Sequence, residues 1–345
     1  HHAGGMGIIV QRTDGATLRN VNATLRSDSG RLVTTTADAT HFNGCRGDIL
    51  IQNCTFENML DDATNIHGCF VRIEKQIGDN ALVCRRIHSQ QRGLIVMAAG
   101  DKVRFVTSAD MQRYADASVI STRELNSDVF EVTLDVLPEG GLRQRSALYN
   151  TTWQPNLTIR GCTVRNNRAR TMLIATAGDV LVEDNVFEHS SMAGIQFEGD
   201  NGFWWESGPA TNVVIRRNLF RNNAGAALRI APQIDVQRFP HALYHGGIVF
   251  QQNRIETFHR LIAEGSAVNG LDFSSNTVEM TNFDEIRDTT SPSFKIASGK
   301  NIVIKNNTFS GSPPLIVEVG AQSPRPVVQD NRGIILEGQP ATKSE

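Results

Sequence analysis

The sequence predicts an all-β chain: a right-handed parallel β-helix (solenoid) with a small inserted β-barrel domain. Three observations lead there. A short apolar phrase recurs along the chain, one long segment lacks it, and turn-forming residues punctuate β-branched runs throughout. The 29 Gly and the many Asn mark frequent turns, while Val, Ile, Thr and Phe fill the stretches between them. Aromatic residues make up only 6% of the chain, so the core is expected to rest on stacked aliphatics.

The phrase has an apolar residue, two variable residues, Asn or Cys, one variable residue and a second apolar residue. It reads IQNCTF at 51–56, IRGCTV at 159–164, VEDNVF at 182–187 and IRRNLF at 215–220. It continues as FQQNRI at 250–255, FSSNTV at 273–278 and IKNNTF at 304–309. The fourth positions are Cys54, Cys162, Asn185, Asn218, Asn253, Asn276 and Asn307, separated by 108, 23, 33, 35, 23 and 31 residues. A gap of 23 reads as one bare coil, and gaps of 31 to 35 as coils with a loop. Stacked coils pair their strands at about 4.8 Å and place like residues in ladders. Asn at a fixed register suits a turn with left-handed backbone and side-chain hydrogen bonds along the ladder.

The gap of 108 predicts the insert. Between about residues 70 and 153 the phrase vanishes and alternating segments appear, DKVRFV at 101–106 and VFEVTL at 129–134, with a turn signal at Pro138-Glu139-Gly140-Gly141. The chain is thus divided into 1–69, an N-terminal part of the solenoid; 70–153, the barrel; and 154–345, the rest of the solenoid. The insert could enclose a substrate, join subunits into a homo-oligomer, or act as a spacer.

Net charge is −2 with a pI near 6.5, so no basic field points to nucleic acid or an anionic membrane. No run approaches the roughly 18 apolar residues of a membrane span. The chain starts at His1 without Met or a signal-peptide pattern, and is expected to have lost its original N-terminus. Five Cys leave at least one thiol unpaired. Cys54 and Cys162 share one inward register and Cys45 falls on Cys69; all are expected as small buried hydrophobes, with a bridge left open for an exported protein.

A second internal match carries the chemistry. Asp38-Ala-Thr-His-Phe-Asn-Gly44 aligns with Asp62-Ala-Thr-Asn-Ile-His-Gly68, one coil later. Asp38 is therefore expected directly below Asp62, with Asp61 beside it. Stacked carboxylates repel unless they share a proton, bind a metal or do chemistry. An inverting glycosidase needs an acid for the leaving oxygen and a base for water. Asp61 is read as the acid and Asp38 with Asp62 as the water-activating pair, with no metal or cofactor. Neighbours on a regular strand face opposite ways, so Asp61 and Asp62 can share a cleft only at a turn or bulge.

One Asp followed a coil later by Asp-Asp and His67-Gly68 is similar to the polygalacturonases. GGMGIIVQ (4–11), TTADATHFNGCRGDI (35–49) and LDDATNIHG (60–68) more closely resemble glycoside hydrolase family 110, the α-1,3-galactosidases. The resemblance covers nearly the whole chain, and implies a β-helix with a barrel insert. It also implies an inverting exo-hydrolase that removes terminal α-1,3-linked galactose from blood group B or linear α-galactosyl glycans. The family's three carboxylates fall on Asp38, Asp61 and Asp62. The resemblance further implies that N-terminal coils and a cap are absent from this chain. A periplasmic or secreted location is expected by analogy of function.

Extending the coil register aligns Asp62 with Arg170, Asn65 with Leu173, Gln196 and Arg229, and His67 with Ala175 and Glu198. Asn65, His67, Arg170, Gln196, Glu198 and Arg229 are read as lining one exterior cleft that binds substrate hydroxyls. The loop 199–208 carries Trp204 and Trp205, read as sugar-stacking candidates of which only one touches sugar. Two rival readings stand beside the hydrolase. One is a pectate-lyase-like eliminase with Ca²⁺ on the carboxylates and Arg170 as base; the other is a non-catalytic glycan-binding β-helix.

Overall fold

The structure is a computed structural model that describes residues 3–281 and 291–337. The outer ends of the predicted segments 1–69 and 154–345, and residues 282–290, lie outside the described residues. Each coil supplies one strand to each of three parallel sheets. One coil runs Arg46–Gln52, then Thr55–Glu57, then Thr64–Gln76. Its successor runs Asn156–Arg160, Thr163–Arg165 and Met172–Ala175, paired in register with the first. Inward residues on the third sheet form the expected ladder, with Ile66, Ile174, Phe197 and Ile230 all essentially inaccessible. No helix is long and apolar enough to cross a membrane among the described residues.

The recurring phrase is the corner between the first two sheets, and its Asn forms a hydrogen-bonded stack. Asn185 Nδ2 donates to Asn218 Oδ1 at 2.9 Å, Asn218 to Asn253 at 3.0 Å, and Asn276 to Asn307 at 2.9 Å. The stack extends one coil beyond the phrases, to Asn331. The left-handed backbone, however, sits one residue earlier than expected. Asp184, Arg217, Gln252, Ser275 and Asn306 have φ of 54 to 58°. The turn therefore needs its left-handed residue at the third position, and the Asn at the fourth serves the ladder instead. The core is mainly aliphatic, as expected, with a run of Phe side chains set into it. Phe187, Phe220, Phe250, Phe273 and Phe294 follow one another at centroid distances of 4.8 to 5.4 Å. Phe187 with Phe220 and Phe250 with Phe273 are register neighbours, while Phe220 meets Phe250 and Phe273 meets Phe294 across the core between sheets.

The insert is a closed antiparallel barrel. Thr64–Gln76 leaves the third sheet and continues as a barrel strand. Pairing then runs through Ala81–Arg85, Val129–Leu134, Arg113–Glu124, Lys102–Thr107 and Ser146–Asn150, and back to the first strand. Closure leaves no open edge. This departure also breaks the predicted stacking of Cys45 on Cys69. Cys45 lies in the solenoid core, whereas Cys69 belongs to the barrel core. Cys54 and Cys162 do stack, with the Cys54 N–H 3.4 Å from Cys162 Sγ, and all five thiols are free and buried. The barrel is anchored to the first coil: Arg12 reaches Asp101 at 2.6 Å and lies over Trp153.

Candidate active site

Thr40 pairs with Thr64 in the third sheet, so Asp38 and Asp62, two residues before them, occupy equivalent corners of adjacent coils. The Asp62 N–H donates to Asp38 Oδ1 at 3.2 Å. Residues 58–63 form bends rather than strand, which lets Asp61 and Asp62 face the same side. One oxygen from each of the three carboxyls lies within 4.8 Å of the others. Such crowding is costly, and each group answers it differently.

Asp62 is almost inaccessible and is held by Arg170. Its Oδ1 accepts the Arg170 N–H at 2.8 Å and its Oδ2 lies 2.7 Å from the guanidinium. Burial pushes the Asp62 carboxyl up, and Arg170 opposes that shift. A guanidinium stays charged at any working pH, so protonating Asp62 would strand a partly buried cation. The ion pair therefore holds Asp62 as the carboxylate. Asp38 is equally enclosed, and its Oδ2 lies 2.8 Å from His41 Nδ1. Asp61 is half-buried and no cation contacts it among the described residues. Burial first, and the charge of Asp38 second, raise its carboxyl above the usual range. Asp38 and Asp62 thus each have a basic partner, His41 and Arg170, whereas Asp61, raised by burial, has none in contact among the described residues.

A cavity of about 190 Å³ opens over these groups, with Asn65, Arg170, Glu198 and Trp204 among its walls. A second cavity of about 260 Å³ adjoins it, bounded by His67, Asn43, Gln11 and the barrel residues His88, Gln90 and Gln91. The barrel therefore forms one wall of the cleft, as enclosure requires. Within the walls, Asn65 Oδ1 and Arg170 Nε are buried without a protein partner.

Among the predicted binding residues, Asn65, Arg170, Glu198 and Trp204 share the carboxylate cavity, and His67 faces the adjoining one. Gln196 sits in register with them but is buried, donating to Glu198 at 2.7 Å. Arg229 lines neither cavity; it lies a coil further on and pairs with Glu264 at 3.0 Å. Only one of the two tryptophans is expected to touch sugar, and Trp205 is the one that turns away from the cavity. With φ of 60° its ring turns inward, 5% exposed, into a cluster with Phe70, Tyr149 and Tyr244. Its neighbour Trp204 faces the cavity because Asp200 accepts three successive backbone N–H groups and fixes the loop.

Sequence reasoning missed Glu206 and His41. Glu206 borders both cavities from a short strand, Glu206–Ser207, antiparallel to Gly68 and Cys69. Gly68 permits that approach, since a Cβ there would sit 2.8 Å from the Ser207 hydroxyl. Burial, reinforced by Glu198, Asp38 and Asp62, pushes the Glu206 carboxyl up to about 8. It is therefore a neutral donor at pH 7. Its strand lies outside the coil period, so no repeat could reveal it. His41 was within reach: it pairs with Asn65, and the same register projected one coil back would have found it. The three carboxylates are also the ligand set most suited to a cation. A divalent ion there would have to compete with Arg170 and His41, which already contact Asp62 and Asp38.

Comparison with known proteins agrees with this architecture. Residues 147–341 match the family model "Right handed beta helix region", and residues 81–141 match "GLAA-B beta-barrel domain II". The chain is 35% identical over 305 residues to an α-1,3-galactosidase B of Bacteroides fragilis, covering 81% of this chain and 50% of the relative. It is 33% identical over 314 residues to an α-1,3-galactosidase A of Shewanella woodyi, covering 90% and 51%. An α-1,3-galactosidase B of Akkermansia muciniphila is 32% identical over 314 residues, covering 89% and 39%. The chain thus spans about half the length, or less, of these curated relatives. A bacteriophage tailspike solved with an Acinetobacter baumannii capsular saccharide matches with a TM-score of 0.31 at 12% identity, over 97% of this chain and 64% of that one.

Proposed function

From a chain that belongs to the right-handed β-helix family, and that is 32–35% identical to curated α-1,3-galactosidases over about half their length or less, we infer an exo-acting glycoside hydrolase. It removes terminal α-1,3-linked galactose with inversion, from glycans such as blood group B or linear α-galactosyl structures. The observation that carries the reading is the division of labour among three crowded carboxyls. Asp62 is paired with Arg170 and Asp38 with the His41 ring, and Asp61 has no basic partner in contact among the described residues.

Asp61, raised by burial, gives its proton to the glycosidic oxygen as the bond to the galactose anomeric carbon breaks. Asp38 and Asp62 hold the attacking water and one of them takes its proton, although one oxygen of each of the three carboxyls lies within 4.8 Å of the others, closer than the spacing of about 6.5–9.5 Å usual for an inverting pair. The water oxygen bonds to the anomeric carbon, and the leaving alcohol departs neutral. Asn65 Oδ1 and Arg170 Nε, unpartnered without substrate, receive sugar hydroxyls. Neutral Glu206 donates to a further sugar oxygen, and the Trp204 indole meets the apolar face of galactose. The barrel wall at Gln90 limits the cleft to a chain end. A glycan substrate places the enzyme in the periplasm or outside the cell.

A lyase is disfavoured by one contact. Arg170 would have to be free to abstract a proton, yet its guanidinium is committed to Asp62 at 2.7 Å. The test is incubation with an α-1,3-linked galactosyl disaccharide in the presence of EDTA. Free galactose without an unsaturated product is the expected result. Activity lost to EDTA, or an unsaturated product, would replace the hydrolase with the eliminase. Binding of the disaccharide without any release would leave a glycan-binding protein.

A further inference from the structure

We propose that His41 and His67 form a fixed proton-positioning pair, in which His41 carries both ring protons and serves as the cation that holds Asp38 as a carboxylate. This deepens the glycosidase reading and rests on it for its consequence, but not for its geometry.

The direction of each hydrogen bond follows from one end of the chain. His67 Nδ1 lies 2.8 Å from the Gly68 carbonyl oxygen, which can only accept, so Nδ1 bears a proton. His67 is fully enclosed, and burial first, then the neighbouring His41, lower its pKa to about 3. It is therefore neutral, and its Nε2 is a bare acceptor. That nitrogen lies 3.1 Å from His41 Nε2. Two ring nitrogens attract only if one donates, so the proton between them belongs to His41. The rings meet edge to face, centroids 4.9 Å apart.

One proton remains to be placed, between His41 Nδ1 and Asp38 Oδ2, 2.8 Å apart. In water an imidazole holds a proton more than two units more tightly than a carboxyl does. The short contact returns much of the cost of burying the charges. The backbone N–H of Asp62 adds a second donor to the Asp38 carboxyl. The proton therefore stays on His41, and Asp38 is the anion. His41 is to Asp38 what Arg170 is to Asp62.

Other charged or titratable groups face this pair from every side. Asp61 and Asp62 lie across the cavity with Arg170, Glu206 sits 3.4 Å from His67 Nε2, and His88 of the barrel acts on His67 at longer range. Arg170 acts on Asp38 at longer range, but its direct contact is with Asp62, so His41 is the basic side chain in contact with Asp38 among the described residues. His67 touches no reacting atom. It is a positioning residue: its lone pair holds His41 in the tautomer and orientation that Asp38 needs.

The test is nitrogen-15 NMR of the histidine-labelled chain near pH 7, joined to kinetics. The expected spectrum shows N–H correlations at both ring nitrogens of His41 and only at Nδ1 of His67. In His67→Phe the acceptor is gone. The Nε2–H signal of His41 should then move into exchange with water, and kcat should fall about 10–100-fold with little change in KM. His67→Gln restores an acceptor and should recover much of that loss; it also serves if the Phe variant does not fold. A wild-type His41 with a single ring proton would overturn the inference, as would kcat unmoved in both variants. The spectrum requires no turnover, so a doubly protonated His41 in a chain without hydrolase activity would uphold the proton placement and sink the functional reading instead.

Discussion

Asp61→Asn is expected to lower kcat on an α-1,3-linked galactosyl disaccharide by about 10²–10⁴-fold, the usual worth of a positioned general acid. KM and the melting temperature should barely move. Asp61 is half-buried, sits on a bend and contacts no cation among the described residues, so the amide replaces a carboxyl on which little structure depends. The specific readout is the leaving group. A galactoside with a nitrophenol leaving group departs without protonation, so the variant should lose far less activity on it. Equal losses on both substrates would assign Asp61 a role other than proton donor. The same substitution at Asp38 or Asp62 should not show that leaving-group rescue, because water activation is needed for either substrate.

Arg170→Met carries the second large effect, and it combines stability with catalysis. Removing one member of a buried ion pair typically costs about 3–5 kcal/mol, since the other charge is left uncompensated. Here the abandoned group is Asp62, 1% exposed and already pushed up by burial, Asp38 and Asp61. The pH dependence has a definite sign. In the variant the folded-state pKa of Asp62 lies further above its unfolded value, so the folded chain binds the extra proton. The stability deficit is then largest at neutral pH and shrinks as pH falls toward the unfolded carboxyl range near 4. Denaturant unfolding at pH 5 and pH 7.5 reads this directly. A deficit that is the same at both pH values would mean that Arg170 contributes packing rather than charge. Turnover should fall as well, because a protonated Asp62 cannot accept from water.

Much of this fold was legible because a solenoid writes its geometry into sequence spacing. Cys162, Asn185, Asn218, Asn253, Asn276 and Asn307 mark the coils, and the same register put Asp62 beside Arg170 and Asn65 beside Leu173. The stacking of Asp38 under Asp62 was legible for the same reason: DATHFNG and DATNIHG are one coil apart. What escaped lies where the coil period stops. Glu206 reaches the site on a strand antiparallel to the solenoid. Trp204 and Trp205 part company because Asp200 organises their loop, a tertiary effect with no periodic signature. Cys69 leaves the Cys45 ladder because the chain turns into the barrel after Gly68. Asn331 was overlooked because its coil ends in VVQDNRG, without the closing apolar residue of the phrase.

The central claim is that Asp38 and Asp62 activate a water while Asp61 protonates the leaving oxygen, all on a terminal α-1,3-linked galactose. Proton NMR of the first galactose released from such a disaccharide, recorded before mutarotation, tests it most directly. The account predicts that β-galactose appears first. Initial release of α-galactose would mean a covalent intermediate on one of the carboxylates, and would contradict the assignment of Asp38 and Asp62 as a water-activating pair.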